Sequence, residues 1–256
     1  MDYSKKVVII TGAGSGMGRA MAKEFVSRGA CVAAVGRNLA KLAETRAGAT
    51  GPGECRIYAK NISSETDVTT LISEVMADFG RIDVLVNNAG VLDTYETAHN
   101  VSLEDWNSVL AINLTGPFLM AKYSIPHMLC QNKGAIINIA SVSAFSAAGG
   151  GAAYTASKHG LQGLTRQLCF EYGSKGIRVN TICPGATATP MAIPETKGEH
   201  SPDMDAAVEK VPAKRWCAPE EIAKLTAFLA SDDADYIHGS AYVIDGGWLT
   251  AARDAF

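Results

Sequence analysis

Several chemistries have little to work with in this 256-residue chain. Its six cysteines stand at positions 31, 55, 130, 169, 183 and 217, no two closer than the 14 positions between Cys169 and Cys183. No CxxC pair or metal-ligand cluster results, and the cysteines read as buried thiols in a reducing compartment. The five histidines, at 99, 127, 159, 200 and 238, are equally scattered. His127 and Cys130 lie three apart, yet no third ligand is near them in sequence, so no metal site is expected. A GxSxG elbow is missing, which disfavours a Ser/His/Asp hydrolase. Positive charge is not in excess: 23 Lys+Arg against 26 Asp+Glu leave a net charge of -3. Without a basic field to attract a phosphate backbone, nucleic acid is not an expected partner. Long apolar runs are lacking too. The run VVII after Lys5 and Lys6 is too short for the core of a signal peptide, which points to a cytoplasmic protein. Residues 134–157 carry no charged side chain, but Asn138, Ser141, Ser143, Ser146 and four glycines make them too polar to span a bilayer.

What the chain does have is rhythm. Short β-branched runs, KVVIIT (6–11), CVAAV (31–35), RIYA (56–59), IDVLVN (82–87), AIINIA (135–140), IRVNTI (177–182) and AYVI (241–244), alternate with amphipathic stretches near 17–28, 38–47, 65–79, 103–131, 152–173 and 219–231. The pattern predicts a doubly wound α/β fold of Rossmann type, a seven-stranded parallel sheet with helices on both faces. The length suits one domain over 1–256. Pro117 and Pro126 are expected to break or kink the helix over 103–131. From Ala186 to Arg215 the prolines at 190, 194, 202 and 212, with Pro184 just before, interrupt strand and long-helix patterns. That segment is expected to be a mobile loop serving as a substrate lid.

The first strand runs into TGAGSGMG, with glycines at 12, 14, 16 and 18 and a helix starting near Met17. A strand feeding a glycine turn and then a helix N-terminus aims backbone N–H groups and a positive dipole end at one spot, where a pyrophosphate can sit. Glycine is needed there because a Cβ would block close approach. The spacing is TGxxxGxG; Met17 stands where GxGxxG would need its third glycine. Thr11, Gly12, Ser15, Gly16, Met17 and Gly18 are therefore candidate dinucleotide contacts. The second strand ends VAAVGRN. An acidic residue at that end would bond the 2'-hydroxyl of NAD, whereas an arginine suits the 2'-phosphate of NADP. Gly36 followed by Arg37 favours NADP(H), with NAD(H) as the alternative.

Together TGAGSGMG (11–18), NNAG (87–90), Asn113 in AINLTG, Ser141 in NIASVS, YTASK (154–158) and CPG (183–185) resemble the short-chain dehydrogenase/reductase family, in its branch of about 250 residues, over essentially the whole chain. The resemblance implies an NAD(P)-dependent oxidoreductase that interconverts a secondary alcohol and a ketone on a small-molecule substrate. It implies Tyr154 as the catalytic acid/base with Lys158 as its partner, the lysine also reaching the nicotinamide ribose. It implies Ser141 as the substrate-orienting hydroxyl and Asn113 as the holder of a proton-relay water. Asn87, Asn88, Ala89 and Gly90 would support the sheet and the adenosine side, and Asn61 and Ile62 would lie near adenine. Pro184 and Gly185 would form the turn ahead of Thr187 and Thr189 at the nicotinamide carboxamide. A homotetramer through the two long helices and the C-terminal strand region, where DGGW (245–248) sits, is also implied. Three departures stand out: Asn61 replaces a common aspartate, Ala140 replaces the first serine of a frequent pair, and the run Gly149-Gly150-Gly151 has no counterpart role.

The Tyr154–Lys158 spacing has its own chemistry. Residues i and i+4 share a helix face. A free phenol titrates near pH 10 and is a poor base at neutrality. A neighbouring ammonium, with no carboxylate on that face, is expected to lower its pKa and let it exchange protons with a substrate oxygen.

Overall fold

The β-branched runs become strands because a parallel sheet buried on both faces wants near-continuous apolar sequence. A computed structural model describes residues 1–147, 149–192 and 202–251, and among these seven strands form one parallel sheet: β1 (Val7–Thr11), β2 (Cys31–Gly36), β3 (Glu54–Ala59), β4 (Val84–Asn87), β5 (Gly134–Ile139), β6 (Ile177–Pro184) and β7 (Ala241–Ile244). Their order is β3-β2-β1-β4-β5-β6-β7. The alternation along β1 sorts the core into two. Val8 and Ile10 pack with Met21, Phe25, Ile222 and Ala227 on one side; Val7 and Ile9 pack with Val68, Leu71, Met120 and Met128 on the other.

The helices supplying those partners are α1 (Gly16–Ser27), α2 (Leu39–Gly48), α3 (Glu65–Phe79), α4 (Leu103–Leu110), α5 (Gly116–Cys130), α6 (Ala152–Tyr172), α7 (Pro202–Lys210), α8 (Pro219–Ala230) and the short α9 (Trp248–Ala251). Asn38, Ser64 and Ser102 start α2, α3 and α4, each side chain accepting from the backbone N–H three residues on. The chain winds outward from β1 to β3, then crosses to β4 on the other flank of β1. The C-terminal ends of β1 and β4 thus frame the point where winding reverses, the place where such sheets open a ligand crevice.

Three expectations need correction. The helical stretch over 103–131 is interrupted at a π turn, Ala111–Thr115, and not at the prolines. Pro117 lies in the first turn of α5, where an N–H is not needed, and Pro126 is housed inside it. The Pro-rich segment is not loop throughout, since α7 forms within it. Val208 is buried there, and the Trp216 indole N–H donates to Asp205 at 2.8 Å, so the helix has a core-facing side and a tie to the next segment. The lid residues Ile193, Pro194, Glu195, Lys197, Glu199 and His200 lie outside the described residues. The cysteines are not uniformly buried either. Cys183 is, Cys130 is exposed, and the other four are intermediate. No described helix is long and apolar enough to cross a membrane, and no group of three or more potential metal ligands occurs among the described residues.

Candidate active site

At the winding reversal, a cleft of about 200 Å³ opens between the glycine loop, the end of β2, the segment after β3 and the segment after β4. Gly12, Ser15, Gly16 and Met17 form one wall, Arg37, Asn61 and Ile62 a second, and Asn88, Ala89 and Gly90 a third, with Thr189 opposite. All of these were expected contacts. Val35, Gly36, Lys60, Val91, Ile112, Pro190 and Met191 also line it; these are neighbours of the motif residues and carry no motif signal of their own.

The cleft suits a dinucleotide. Helix α1 starts at it with no side-chain cap from Ser15, unlike α2, α3 and α4, and with no acidic residue in its first turn, so no side chain of its own first turn competes for those N–H groups. Gly12 and Gly16 hold φ of +67° and +49°, which a side chain would strain. The Asn88 Oδ1 is buried without a partner among the described residues, an acceptor left for a bound group. NAD(P) therefore fits these residues.

Other expected contacts lie behind the lining. Thr11 is fully buried. Its hydroxyl donates to the Val86 carbonyl at 3.3 Å and accepts from the N–H groups of Asn88 and Ala89, both at 3.0 Å, so it pins the β4 segment to β1. At Gly18 a Cβ would stand 2.2 Å from the Gly12 carbonyl oxygen, so this glycine lets helix and loop touch. Pro184 pairs with Ile244 at the end of β6, a Cβ at Gly185 would meet the Asp245 backbone at 2.8 Å, and the Thr187 hydroxyl donates to the Gly185 carbonyl at 3.1 Å.

Behind Gly90 stands the group expected to handle the proton. A Cβ on Gly90 would sit 3.3 Å from Asn113 Oδ1 and 3.5 Å from Lys158 Nζ, so the wall of the cleft is also the wall of this group. Tyr154, Lys158, Asn113 and Ser141 are all buried. Lys158 Nζ donates to the Ile139 carbonyl at 3.1 Å and lies 5.4 Å from the centre of the Tyr154 ring. Asn113 sits in the π turn. Its Oδ1 accepts from Val91 N at 2.9 Å, while its Nδ2 donates to Val91 O at 2.9 Å and to Ser157 Oγ at 3.2 Å. Asn113 in the π turn therefore joins the segment after β4 to α6. Ser141, just past β5, accepts from Ser143 N at 3.1 Å, and its hydroxyl pairs with that of Ser143 at 3.2 Å.

The electrostatics differ from the expected lowering of the phenol. Burial pushes Tyr154 up to about 12, and the hydrogen bond from Ser141 offsets this only in part. Burial also pushes Lys158 down to about 8, with Cys183 drawing it slightly back. Each group has shed water that favoured its charged form, and that loss is the largest influence on both. The phenol in the protein alone keeps its proton at neutral pH. Nor is its surrounding free of carboxylates. Asp93, from the segment after β4, accepts from the backbone N–H of Tyr154 at 2.9 Å, a contact 61 residues distant in sequence that spacing within α6 does not reveal.

A parallel doubly wound sheet with a glycine-loop cleft at its winding reversal and a buried Tyr–Lys–Ser–Asn group beside it defines a dinucleotide-binding oxidoreductase. Comparison with known proteins agrees. A family model described as enoyl-(acyl carrier protein) reductase matches residues 12–249. D-threitol dehydrogenase of Mycolicibacterium smegmatis is 42% identical over 245 residues, covering 95% of this chain and 92% of that protein. Meso-2,3-butanediol dehydrogenase of Serratia marcescens is 38% identical over 248 residues, covering 96% of each. A crystal structure from Beutenbergia cavernae, provisionally assigned as an NAD(P)-dependent gluconate 5-dehydrogenase and holding NADP at low occupancy, superposes with a TM-score of 0.87 at 35% identity, over 97% of this chain and 98% of that one. The chain belongs to the short-chain dehydrogenase/reductase family. It is an enzyme acting on alcohol and carbonyl groups with NAD(P).

Proposed function

We propose that the enzyme reduces a ketone to a secondary alcohol, and runs the reverse, on a small or medium, largely apolar substrate, with NADP(H) favoured over NAD(H). The observation that carries this reading is the burial of Tyr154 and Lys158 on one face of α6, with Lys158 Nζ directly behind Gly90 of the cleft wall. When bound, NAD(P) supplies or accepts the hydride. The chain's own residues do the rest. Tyr154 gives its Oη proton to the carbonyl oxygen, or takes one from the alcohol in reverse. Ser141 Oγ, 13 positions before the tyrosine, holds the same oxygen by a hydrogen bond. Lys158 holds its ammonium 5.4 Å from the centre of the tyrosine ring, where a positive charge favours the phenolate as the proton leaves. Asn113 fixes the segment after β4 against Ser157 of the same helix.

Arg37, exposed at the cleft beside Gly36, supports the NADP preference. The similarity to dehydrogenases named for D-threitol and 2,3-butanediol supports small diols as first substrates to try, and a second reading, an NAD-linked sugar or polyol dehydrogenase, rests on the same similarity. Phe118 on α5, Phe170 on α6 and Val243 on β7 are exposed large apolar side chains, which supports a homotetramer through those elements. The test is an initial-rate panel of D-threitol, meso-2,3-butanediol, cyclohexanol and the corresponding ketones with both cofactors, read by nicotinamide fluorescence. Turnover with the NADP couple is expected; activity confined to NAD and polyols would favour the second reading, and no turnover at all would refute both.

A further inference from the structure

The reaction as derived leaves Asp93 and the run Gly149-Gly150-Gly151 without a role, and the structure joins them. Helix α6 begins at Ala152, and Gly151 just ahead of it has no side chain to cap it. Asp93 does so from 58 residues away. Its Oδ1 accepts from Gly151 N at 2.7 Å and its Oδ2 from Tyr154 N at 2.9 Å, so one carboxylate satisfies two of the N–H groups that a helix start leaves open. Each of the three glycines clears space for a different side chain. A Cβ at 149 would stand 2.2 Å from Ser143 Oγ, at 150 it would stand 2.5 Å from Tyr154 Cδ1, and at 151 it would stand 2.7 Å from Asp93 Oδ2. Neither Gly150 nor Gly151 has a positive φ; the requirement there is for room, not for a left-handed backbone.

We propose that Asp93 is a positioning residue for Tyr154, clamping the first turn of the catalytic helix, and that residue 151 is glycine so that this carboxylate can reach the helix. The proposal rests on the reading of Tyr154 as the acid/base. It gives the segment after β4 two grips on α6, through Asn113 to Ser157 and through Asp93 to Gly151 and Tyr154, so the wall of the cofactor cleft and the proton donor are set by the same stretch of chain. It also places a charge. Tyr154 is faced by Lys158 from its own helix, by Asp93 and Tyr95 from the segment after β4 and by Ser141 from beyond β5, while Cys183 of β6 stands beside Lys158. The Asp93 carboxylate favours the protonated phenol.

Two experiments on the full chain decide it. The first is a cycle in denaturant unfolding of wild type, Gly151→Ala, Asp93→Ala and the double variant. Gly151→Ala should lower the unfolding midpoint in the wild type and cause no further loss in the Asp93→Ala background, because the clash it creates is with a side chain no longer there; additive losses overturn the proposal. The second is kinetic. Asp93→Asn keeps the shape and one acceptor oxygen but removes the charge. For meso-2,3-butanediol oxidation with NADP+, kcat should fall about tenfold, the loss of one charge-assisted bond, with cofactor affinity within about twofold of wild type. Oxidation needs the ionised phenol, so the acidic limb of the pH–rate profile should move to lower pH, which a purely structural role would not cause. An unmoved profile, or one moved to higher pH, overturns the proposal. Turnover retained in Tyr154→Phe would remove the acid/base reading and this proposal with it; turnover lost there but unchanged in the Asp93 variants would remove this proposal alone.

Discussion

Lys158→Met should leave the enzyme inactive and yet more resistant to unfolding at neutral pH. The lysine is 4% exposed, and its ammonium has one backbone acceptor, the Ile139 carbonyl. Burial lowers its pKa from an ordinary 10.5 to about 8 in the folded protein. The interval corresponds to roughly 3 kcal/mol, at 1.36 kcal/mol for each factor of ten. The sign follows from proton linkage. Because the folded value is depressed, the unfolded chain binds more protons between about pH 8 and 10.5, and stability rises with pH across that window. The lysine's favourable contribution is present above 10.5 and lost as pH falls through 8. At neutrality the folded protein therefore carries a buried charge costing about 3 kcal/mol relative to the neutral amine. Methionine fills a similar volume without that charge. Denaturant midpoints for both proteins, measured from neutral to strongly alkaline pH at one protein concentration, should show the variant ahead at neutrality and the gap closing above 10.5. A variant that is less stable at neutrality, with a difference that does not change with pH, would refute the claim that burial dominates at this lysine.

Arg37→Ala should raise the KM for NADPH about tenfold, the value of a charge-assisted contact, while leaving that for NADH within about twofold; equal effects on both would overturn the NADP preference. Thr11→Val keeps the shape but leaves the Asn88 and Ala89 N–H groups without the oxygen they share. It should cost roughly 2 kcal/mol or more in a denaturant titration and weaken cofactor binding through the displaced β4 segment, whereas an unchanged midpoint would show that water replaces the hydroxyl freely.

Much of this architecture could be read in advance because its signals are local. VVII in β1 and CVAAV in β2 are apolar without a break, which marks a strand covered on both faces, and the structure buries Val7 through Thr11 completely. TGAGSGMG announces its own turn, because glycines at 12 and 16 occupy backbone regions other residues avoid. Tyr154 and Lys158 share a face by helical period alone. What escaped the sequence depends on approaches across the fold. Thr11 looked like a cofactor contact, and its hydroxyl braces the sheet end, since its partners Asn88 and Ala89 arrive from the segment after β4. The helix break fell at Asn113, where a side chain bonds the Val91 backbone, and not at Pro117 or Pro126, which a helix start and a helix interior accommodate. Helix α7 was hidden by prolines that flank it more than they interrupt it. The titration of Tyr154 was judged from its nearest charge, whereas the decisive quantity was how much water the fold removes from both groups. Asp93 could not be found from spacing, because its partners lie 58 and 61 residues along the chain.

The central claim is that the buried Tyr154 hydroxyl moves the proton in alcohol–carbonyl interconversion. Tyr154→Phe tests it with one atom removed: kcat for the substrate identified in the alcohol and ketone panel should drop by about 10²–10⁴-fold, while fluorescence titration shows nicotinamide cofactor binding with unchanged affinity. Turnover near the wild-type rate in that variant, with cofactor bound normally, would contradict the account.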